Sequence, residues 1–230
     1  MTTLELSRRV FITAASALPL VGLATAARAM RLPLPSPAIF PAPGAPQVAV
    51  LAGGCFWGVQ GVFSHVKGVS KAVSGYTGGN LVNPTYEQVG TETTGHAEAV
   101  QITFDPAQVT YGDILQIFFS VATDPTQLNR QEPDEGPSYR NEIFYTSPDQ
   151  KRIAAAYIAQ LGRARVFKSP IVTRVSALKV FYRAEDRHQD FLLLNPTEPY
   201  IVRYDAPKVA DLKMSFPALW RETAIRTAKT

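Results

Sequence analysis

Cys55 is the only cysteine of the chain, and it stands in the segment Gly54-Cys55-Phe56-Trp57-Gly58, between a predicted strand and a predicted helix. In the first turn of a helix, unpaired backbone amides and the positive end of the helix dipole favour a thiolate, which is nucleophilic. Phe56 and Trp57 would place an apolar wall beside the sulfur. The segment therefore predicts a nucleophilic cysteine, and a buried structural cysteine is the alternative.

A glutamate opens the most regular strand pattern of the chain. Residues 98–104 alternate in polarity, which places Glu98 on the apolar face and points its carboxyl group toward the core. A buried carboxyl group without a cationic partner prefers the neutral form, and it can then donate a proton at neutral pH. If the strand instead began at Ala99, Glu98 would be solvated in the preceding loop.

The three histidines leave a second kind of chemistry open. His96 lies two residues before Glu98, and His188 lies in a polar segment, so either could act with Cys55 in a cysteine hydrolase or acyltransferase. A binding module without catalysis is a further alternative. No histidine or cysteine pair has the spacing of metal ligands, so neither a metal nor another cofactor is expected.

The composition describes one globular domain with an appendage. The chain has 230 residues, of which 46% are hydrophobic and 18% are charged, and its formal net charge is +4. Part of this charge comes from Arg8, Arg9 and Arg28 near the N-terminus, and no dense stripe of Lys and Arg follows. Nucleic acid is therefore not an expected partner.

Residues 1–29 have the order of an export signal. Arg8 and Arg9 precede an apolar run at residues 10–27, and Ala27-Arg28-Ala29 is a small-x-small cleavage site. The paired arginines resemble a twin-arginine signal, which predicts a periplasmic protein without stable membrane insertion. A membrane anchor is the alternative, but the run is short and is diluted by polar residues.

A proline-rich linker at residues 30–46 is predicted to connect this signal to a catalytic domain at residues 47–230. The linker holds six of the 18 prolines of the chain, which favour an extended, water-exposed conformation.

Along the domain, segments with the apolar spacing of a strand alternate with segments with the apolar spacing of a helix. Strands are predicted at residues 48–52, 71–76, 98–104, 142–146 and 171–182, and helices at residues 59–66, 110–121, 148–161 and 184–194. Residues 122–140 form a long loop. The strand at residues 98–104 follows a glycine-rich loop too short for a helix, which favours an α+β sheet over a doubly wound parallel one.

With these residues in place, the sequence resembles the A-type peptide methionine sulfoxide reductases. The resemblance covers residues 48–196, and its motifs follow one another in the family's order. Beyond the cysteine segment these are SGYTGG at 74–79, PTY at 84–86, GHAE at 95–98, DPTQLNRQ at 124–131, YR at 139–140 and AED-x-HQ at 184–189.

The resemblance implies a fold and a reaction. The fold would be a two-layer α+β sandwich with a ferredoxin-like split βαβ core, a mixed sheet, helices on one face and long loops. The reaction would be the thiol-dependent reduction of the S epimer of methionine sulfoxide, free or in proteins, through a cysteine sulfenic acid.

The resemblance also implies a role for each site residue. Cys55 would attack the sulfoxide sulfur, Phe56 and Trp57 would hold the substrate methyl group, and Glu98 would protonate the sulfoxide oxygen. The remaining implied site residues are Tyr86 and Tyr139, which would hydrogen-bond that oxygen, and Asp134 and His188, which would contact the substrate.

One departure from the family concerns how the enzyme is recycled. Many relatives reduce the sulfenic acid with a second cysteine in a C-terminal tail, and this chain has none. We therefore expect an external thiol, either a thioredoxin-like protein or a small thiol, to attack oxidised Cys55 in a monomeric enzyme. Smaller departures are Glu132, Pro137, Ser138, Arg187 and Phe191, which replace the residues usual in the family.

Overall fold

The computed structural model describes residues 33–38 and 45–227. The predicted export signal at residues 1–29 and part of the predicted linker lie outside the described residues. Within the described part of the chain, no helix combines the length and the apolar character that a membrane span requires.

A six-stranded mixed sheet organises the domain, with strand order β7-β6-β1-β3-β2-β8, and a separate two-stranded ribbon pairs β4 with β5. The strands are β1 (Gln47–Gly53), β2 (Val69–Thr77), β3 (Ala97–Phe104), β4 (Arg130–Gln131), β5 (Asp134–Glu135), β6 (Asn141–Tyr145), β7 (Arg174–Ala177) and β8 (Phe181–Arg183). The helices are α1 (Phe56–Ser64), α2 (Tyr86–Val89), α3 (Tyr111–Ile117), α4 (Pro148–Ala164), α5 (Phe191–Leu194) and α6 (Ala206–Ser215).

The strand pairing confirms the α+β prediction. β3 lies between β1 and β2 and is antiparallel to both, while the chain passes from β1 to β2 through α1. β6 is antiparallel to β1, and β7 is parallel to β6, so the sheet is mixed. The finer prediction of a ferredoxin-like core stays a prediction, since the edge strands β7 and β8 extend the sheet beyond four strands.

The prediction of one strand at residues 171–182 is wrong. This stretch contains β7 and β8, which lie at opposite edges of the sheet. The chain from Ala177 to Phe181 can span only about 14 Å, so the sheet must curl to bring its two edges together. The sequence pattern does not reveal that the chain passes from one edge of the sheet to the other, because both strands have the same periodicity.

The helices lie on one face of the sheet, where they enclose the main core. The other face carries a small cluster of Val50, Ala52, Ala97, Ala99 and Phe144, against which Val48, Leu178 and Phe181 pack. This second cluster is covered by the curled edges of the sheet, so the apolar residues of both faces are removed from water.

Two predicted helix starts are confirmed by their caps. The hydroxyl group of Thr110 accepts a hydrogen bond from the backbone N–H of Asp113, and Ser147 accepts one from the N–H of Gln150. Each cap satisfies one of the backbone donors that a helix start leaves unpaired.

The predicted helix at residues 184–194 is wrong over most of its length. Only a 3₁₀ turn at Asp186–His188 and the four-residue α5 form there. Asp190 separates them in the left-handed conformation, with φ of 55°. A helix cannot pass through such a residue, and the apolar pattern of this stretch does not reveal it.

Residues 33–38 of the predicted linker are mostly exposed to water, yet hydrogen bonds join them to the domain. The hydroxyl group of Tyr157 donates to the carbonyl of Pro35 at 2.9 Å, and the N–H of Leu34 donates to Ser120 Oγ at 3.1 Å. Prolines lack a donor, but their extended backbone presents carbonyl groups that side chains on the neighbouring helices bind.

Candidate active site

Cys55 lies at the turn between β1 and α1, where it forms the N-cap of the helix and is 7% exposed. Gly54 makes this turn with φ of +92°, and a Cβ atom there would lie 2.4 Å from the Cβ of Gln131. Only glycine accepts both the left-handed backbone and the close approach of the Gln131 side chain. The glycine before the cysteine therefore places the thiol at the helix start.

The thiol of Cys55 is held in its neutral form. Burial raises its pKa well above the ordinary value, and the carboxyl groups of Asp205 and Glu98 raise it further. Lys208 and a hydrogen bond from the backbone N–H of Trp57 act in the opposite direction. The helix start thus lowers the pKa of the thiol, as predicted, but desolvation and the two acids outweigh this effect.

Glu98 points into the protein from the second position of β3 and is 3% exposed. Its Oε2 accepts a hydrogen bond from the backbone N–H of Phe56 at 2.9 Å, which brings the carboxyl group to the residue directly after the thiol. The alternative in which the strand begins at Ala99 and leaves Glu98 in solvent is wrong.

Burial raises the pKa of Glu98 to about 8. The hydrogen bond from Phe56 lowers this pKa, while Asp134, Asp205 and Glu92 raise it. A carboxyl group with such a pKa is about nine-tenths protonated at pH 7. Glu98 is thus a proton donor at neutral pH.

Two phenols face the same space. Burial raises the pKa of Tyr86 to about 12 and the pKa of Tyr139 well above its ordinary value, and the charge of Glu98 adds to both shifts. Tyr86 is anchored by its backbone N–H, which donates to Glu185 Oε1 at 2.8 Å. Both hydroxyl groups therefore remain protonated at neutral pH and can donate hydrogen bonds.

Aromatic rings form the apolar side of the site. The Phe56 side chain is fully buried, and its ring centroid lies 6.4 Å from that of Trp57. Phe191 stacks on Trp57 with centroids 3.9 Å apart and an interplanar angle of 14°. This stacking fixes the indole of the half-buried Trp57, so the predicted aromatic wall is built from three rings.

His188 positions the indole. Its Nδ1 accepts a hydrogen bond from Trp57 Nε1 at 3.3 Å, and its ring lies 4.3 Å from that of Tyr86. Burial lowers the pKa of His188, so the ring is neutral at pH 7, and Nε2 carries its proton. His188 therefore belongs to the wall of the site.

His96 is engaged elsewhere. Its Nδ1 accepts a hydrogen bond from the N–H of Gly79 at 3.2 Å, and its Nε2 lies 2.8 Å from the carbonyl oxygen of Leu81. Both ring nitrogens thus hold the glycine-rich loop. Since the indole of Trp57 occupies Nδ1 of His188, the geometry does not favour a hydrolase that uses either histidine as the base for Cys55.

Asp134 reaches the site from β5, as the resemblance implies, and it has a partner that the sequence did not suggest. The hydroxyl group of Tyr200 donates a hydrogen bond to Asp134 Oδ2, and the Tyr200 ring meets Trp57 edge-on at 6.0 Å. Burial raises the pKa of Asp134. No periodic pattern follows Pro199, and this is why Tyr200 was missed.

The C-terminal helix contributes a second pair that the sequence did not reveal. Asp205 is fully buried, and Lys208 Nζ donates to its Oδ1 at 2.9 Å. A Cβ atom on Gly58 would lie 2.1 Å from that same oxygen. The glycine that ends the cysteine segment thus makes room for a carboxyl group, and the helix start at Ala206-Pro207 was the available signal for Asp205.

Metal ligation has no visible basis in the described residues. Within residues 33–38 and 45–227, no three His, Cys, Asp or Glu side chains are grouped as metal ligands would be.

A buried thiol, a neutral carboxyl group and two protonated phenols that act on one another electrostatically are typical of an enzyme that uses a cysteine. A family model described as peptide methionine sulfoxide reductase matches residues 47–218, and the chain belongs to this family. Its similarity to relatives named MsrA identifies the A type.

Individual relatives agree with this membership. The chain is 61% identical over 184 residues to peptide methionine sulfoxide reductase MsrA 2 of Mesorhizobium japonicum. The aligned residues cover 80% of this chain and 94% of the relative. Methionine sulfoxide reductase A of Corynebacterium diphtheriae has a similar structure, with a TM-score of 0.58, 32% identity, and coverage of 73% of this chain and 85% of that chain. Reduced Mxr1 of Saccharomyces cerevisiae gives a TM-score of 0.60 at 27% identity, over 66% of this chain and 87% of that chain.

Proposed function

We propose that this protein reduces methionine S-sulfoxide, free or in proteins, to methionine, and that an external thiol supplies the electrons. The observation that carries the proposal is the hydrogen bond between Glu98 and the backbone N–H of Phe56, because it sets a neutral carboxyl group beside the only thiol of the chain. Membership of the family supports the same reaction.

The reaction transfers one oxygen atom between two sulfur atoms. A sulfoxide is a poor electrophile because its oxygen leaves badly, and protonation of this oxygen by Glu98 removes the obstacle. Tyr86 and Tyr139 donate hydrogen bonds to the same oxygen as its charge develops. Cys55 attacks the substrate sulfur and forms an S–S bond with it. The protonated oxygen then passes to the Cys55 sulfur as the substrate S–O bond and the S–S bond break, which leaves methionine and a cysteine sulfenic acid.

Protons and electrons balance within the site. Glu98 gives its proton to the sulfoxide oxygen and takes the proton that Cys55 loses on attack, so the carboxyl group returns to its neutral form. The substrate sulfur gains two electrons and the Cys55 sulfur loses two. The raised pKa of the thiol means that its proton departs during attack rather than before it.

Substrate selection follows from the two sides of the site. Phe56, Trp57 and His188 offer an apolar wall to the methyl group, and the hydroxyl groups of the two phenols require an acceptor on the sulfur. A thioether lacks that acceptor and would leave buried donors unpaired, so the product binds more weakly than the substrate. Asp134 contacts the polar end of the bound residue.

Recycling requires two external thiols, because the chain has one cysteine. The first thiol attacks oxidised Cys55 and releases water, and the second displaces Cys55 from the resulting mixed disulfide. A thioredoxin-like protein or a small thiol fulfils this role, and no metal or other cofactor takes part.

The N-terminal sequence supports an exported, periplasmic enzyme. The proposed oligomeric state is a monomer. The twin-arginine-type signal at residues 1–29 would carry the chain out of the cytoplasm, and the domain at residues 47–230 would repair methionine in oxidised proteins there.

A turnover assay on the two separated sulfoxide epimers, with dithiothreitol as reductant, tests the proposal. Methionine should form from the S epimer alone, and Cys55→Ser should form none. Hydrolysis of an ester or amide without any reductant would instead favour the cysteine hydrolase. Equal turnover of both epimers would contradict the proposed binding of the oxygen.

A further inference from the structure

A buried ion pair adjoins the nucleophile and takes no part in the reduction of the sulfoxide. Asp205 is fully buried at the start of α6, and Lys208, with a side chain only 15% exposed, donates to its Oδ1 at 2.9 Å. The other carboxyl oxygen, Oδ2, is buried and has no hydrogen-bond partner. Such an oxygen costs free energy unless a ligand or a reaction uses it.

The position of this carboxyl group relative to Cys55 follows from the geometry of α1. Asp205 Oδ1 lies 2.1 Å from where a Cβ atom of Gly58 would be. Cys55 is the N-cap and Gly58 is the third residue of the helix, and side chains at these two positions lie on one face. Asp205 therefore lies on the same side of the first turn as the sulfur.

A surface cavity lies beside the ion pair of Asp205 and Lys208. Lys208 lines a surface cavity of about 480 Å³ that is also bordered by Gln131 and Arg203. Gln131 packs on Gly54, so this cavity flanks the cysteine turn. The ion pair lies between the cavity and the helix start.

We infer that Asp205 is the proton carrier of the recycling step, in which its unpartnered oxygen takes the proton of the external thiol that attacks oxidised Cys55. This inference rests on the proposed function, since it concerns the sulfenic acid that sulfoxide reduction leaves. Lys208 favours the carboxylate form, which can accept a proton, and burial makes that carboxylate a stronger base.

The step balances. The S–H bond of the external thiol breaks, its sulfur forms an S–S bond with Cys55, and the S–O bond of the sulfenic acid breaks. Asp205 delivers the thiol's proton to the departing hydroxyl group, which leaves as water. The external sulfur is oxidised by one electron equivalent and the Cys55 sulfur is reduced by one. An ordinary thiol has a pKa near 8.5, so it needs such a base at neutral pH.

The charges around Asp205 come from several elements. Burial raises the pKa of Asp205 above its ordinary value, and Asp134 on β5 and Glu198 raise it further, whereas Lys208 on α6 lowers it. Three more titratable groups lie in this region: Cys55 at the start of α1, Glu98 on β3, and Tyr200. The recycling rate should therefore depend on pH through the whole group of acids and phenols together with Lys208.

Two thiols of different acidity test the inference. The sulfenic acid is first formed by one equivalent of S-sulfoxide, and is then reduced either by 2-mercaptoethanol, which is protonated at pH 7, or by 2-nitro-5-thiobenzoate, which is already ionised. Asp205→Asn should slow the first reaction about a hundredfold or more and spare the second, because only the protonated thiol needs a base. A purely structural role would slow both alike.

A second variant covers the case in which Asp205→Asn does not fold. Lys208→Gln removes the cation that opposes the raised pKa of Asp205, so the rate with 2-mercaptoethanol should fall at pH 7 and recover at higher pH. Asp211→Asn, which changes another buried acid of α6, is the matched control and should alter neither reaction.

Either of two results would overturn the inference. One is an equal effect of Asp205→Asn on both thiols, including no effect, and the other is an unshifted pH profile in Lys208→Gln. If the first addition of sulfoxide yields no methionine, the proposed function fails instead. The sulfenic acid is then formed with hydrogen peroxide, and the comparison of the two thiols still decides the role of Asp205.

Discussion

Glu98→Gln separates the proton-donating role of Glu98 from its structural role. The side-chain oxygen of glutamine can still accept the hydrogen bond from the N–H of Phe56, so the start of α1 is kept. The amide cannot deliver a proton to the sulfoxide oxygen, and loss of a positioned acid costs about 10²- to 10⁴-fold in rate. We expect a loss in this range at pH 7, with partial recovery at low pH as solvent supplies the proton.

The raised pKa of Glu98 predicts the shape of the wild-type pH profile. Since this pKa is about 8, the acid form dominates at pH 7 and is lost above pH 8, where the rate of methionine formation should fall about tenfold per pH unit. The Glu98→Gln profile should lack this decline. Single-turnover formation of methionine, measured between pH 5 and about 10 without recycling thiol, isolates the step.

Stability provides an independent measurement on the same pair of proteins. Between its ordinary pKa of 4.5 and about 8, Glu98 holds a proton in the folded state that the unfolded chain has lost. The free energy of unfolding should therefore fall by about 1.4 kcal/mol per pH unit across this window, and most of that slope should vanish in Glu98→Gln. Denaturant unfolding at pH 5 and about 8 reads out the difference.

The result that would refute this reasoning is an unchanged rate of Glu98→Gln at pH 7. Such a result would remove Glu98 from the mechanism, whatever its effect on stability. A lost rate with an unchanged slope of stability against pH would instead show that Glu98 is ionised in the folded protein. The rate and the slope therefore test the role and the protonation state separately.

Three further predictions follow from the site and the linker. Cys55→Ser should abolish methionine formation in a single-turnover assay, because serine cannot form a sulfenic acid. Tyr86→Phe and Tyr139→Phe should each slow this step roughly tenfold and their combination more, since each hydroxyl group supplies one hydrogen bond to the oxygen; equal rates would exclude them. A chain that starts at Gln47 should keep its activity but melt at a lower temperature than one that starts at Pro33, because it lacks the contacts of Leu34 with the helices; identical melting would contradict this.

The sequence predicted the two central groups of the site because their placement is local. A strand that ends at two glycines and continues as a helix puts Cys55 at the helix start, and this follows from residues within one turn. Strand alternation likewise points Glu98 inward, since the side-chain period of two depends only on the strand itself. The caps at Thr110 and Ser147 were readable for the same reason.

Ionisation could not be read in the same way. The helix start predicted a thiolate, whereas burial and the acids Asp205 and Glu98 hold Cys55 in the neutral form. These acids come from segments far away in the chain, so no spacing relates them to the cysteine. The raised pKa of Glu98 has the same kind of origin, since the extent of its burial depends on the elements that pack over β3.

The C-terminal part of the chain shows the limit most clearly. Tyr200, Asp205 and Lys208 stand where no periodic pattern is present, yet the segment packs across α1 and brings all three to the thiol. The strand predicted at residues 171–182 divides between two edges because the sheet curls. Amino-acid order alone determined which groups can react and which element carries each of them, since these depend on side-chain chemistry and short-range backbone preference. Tertiary packing decided which groups meet, which protons they hold and where the sheet closes, because desolvation and charge act between segments that are distant in the chain.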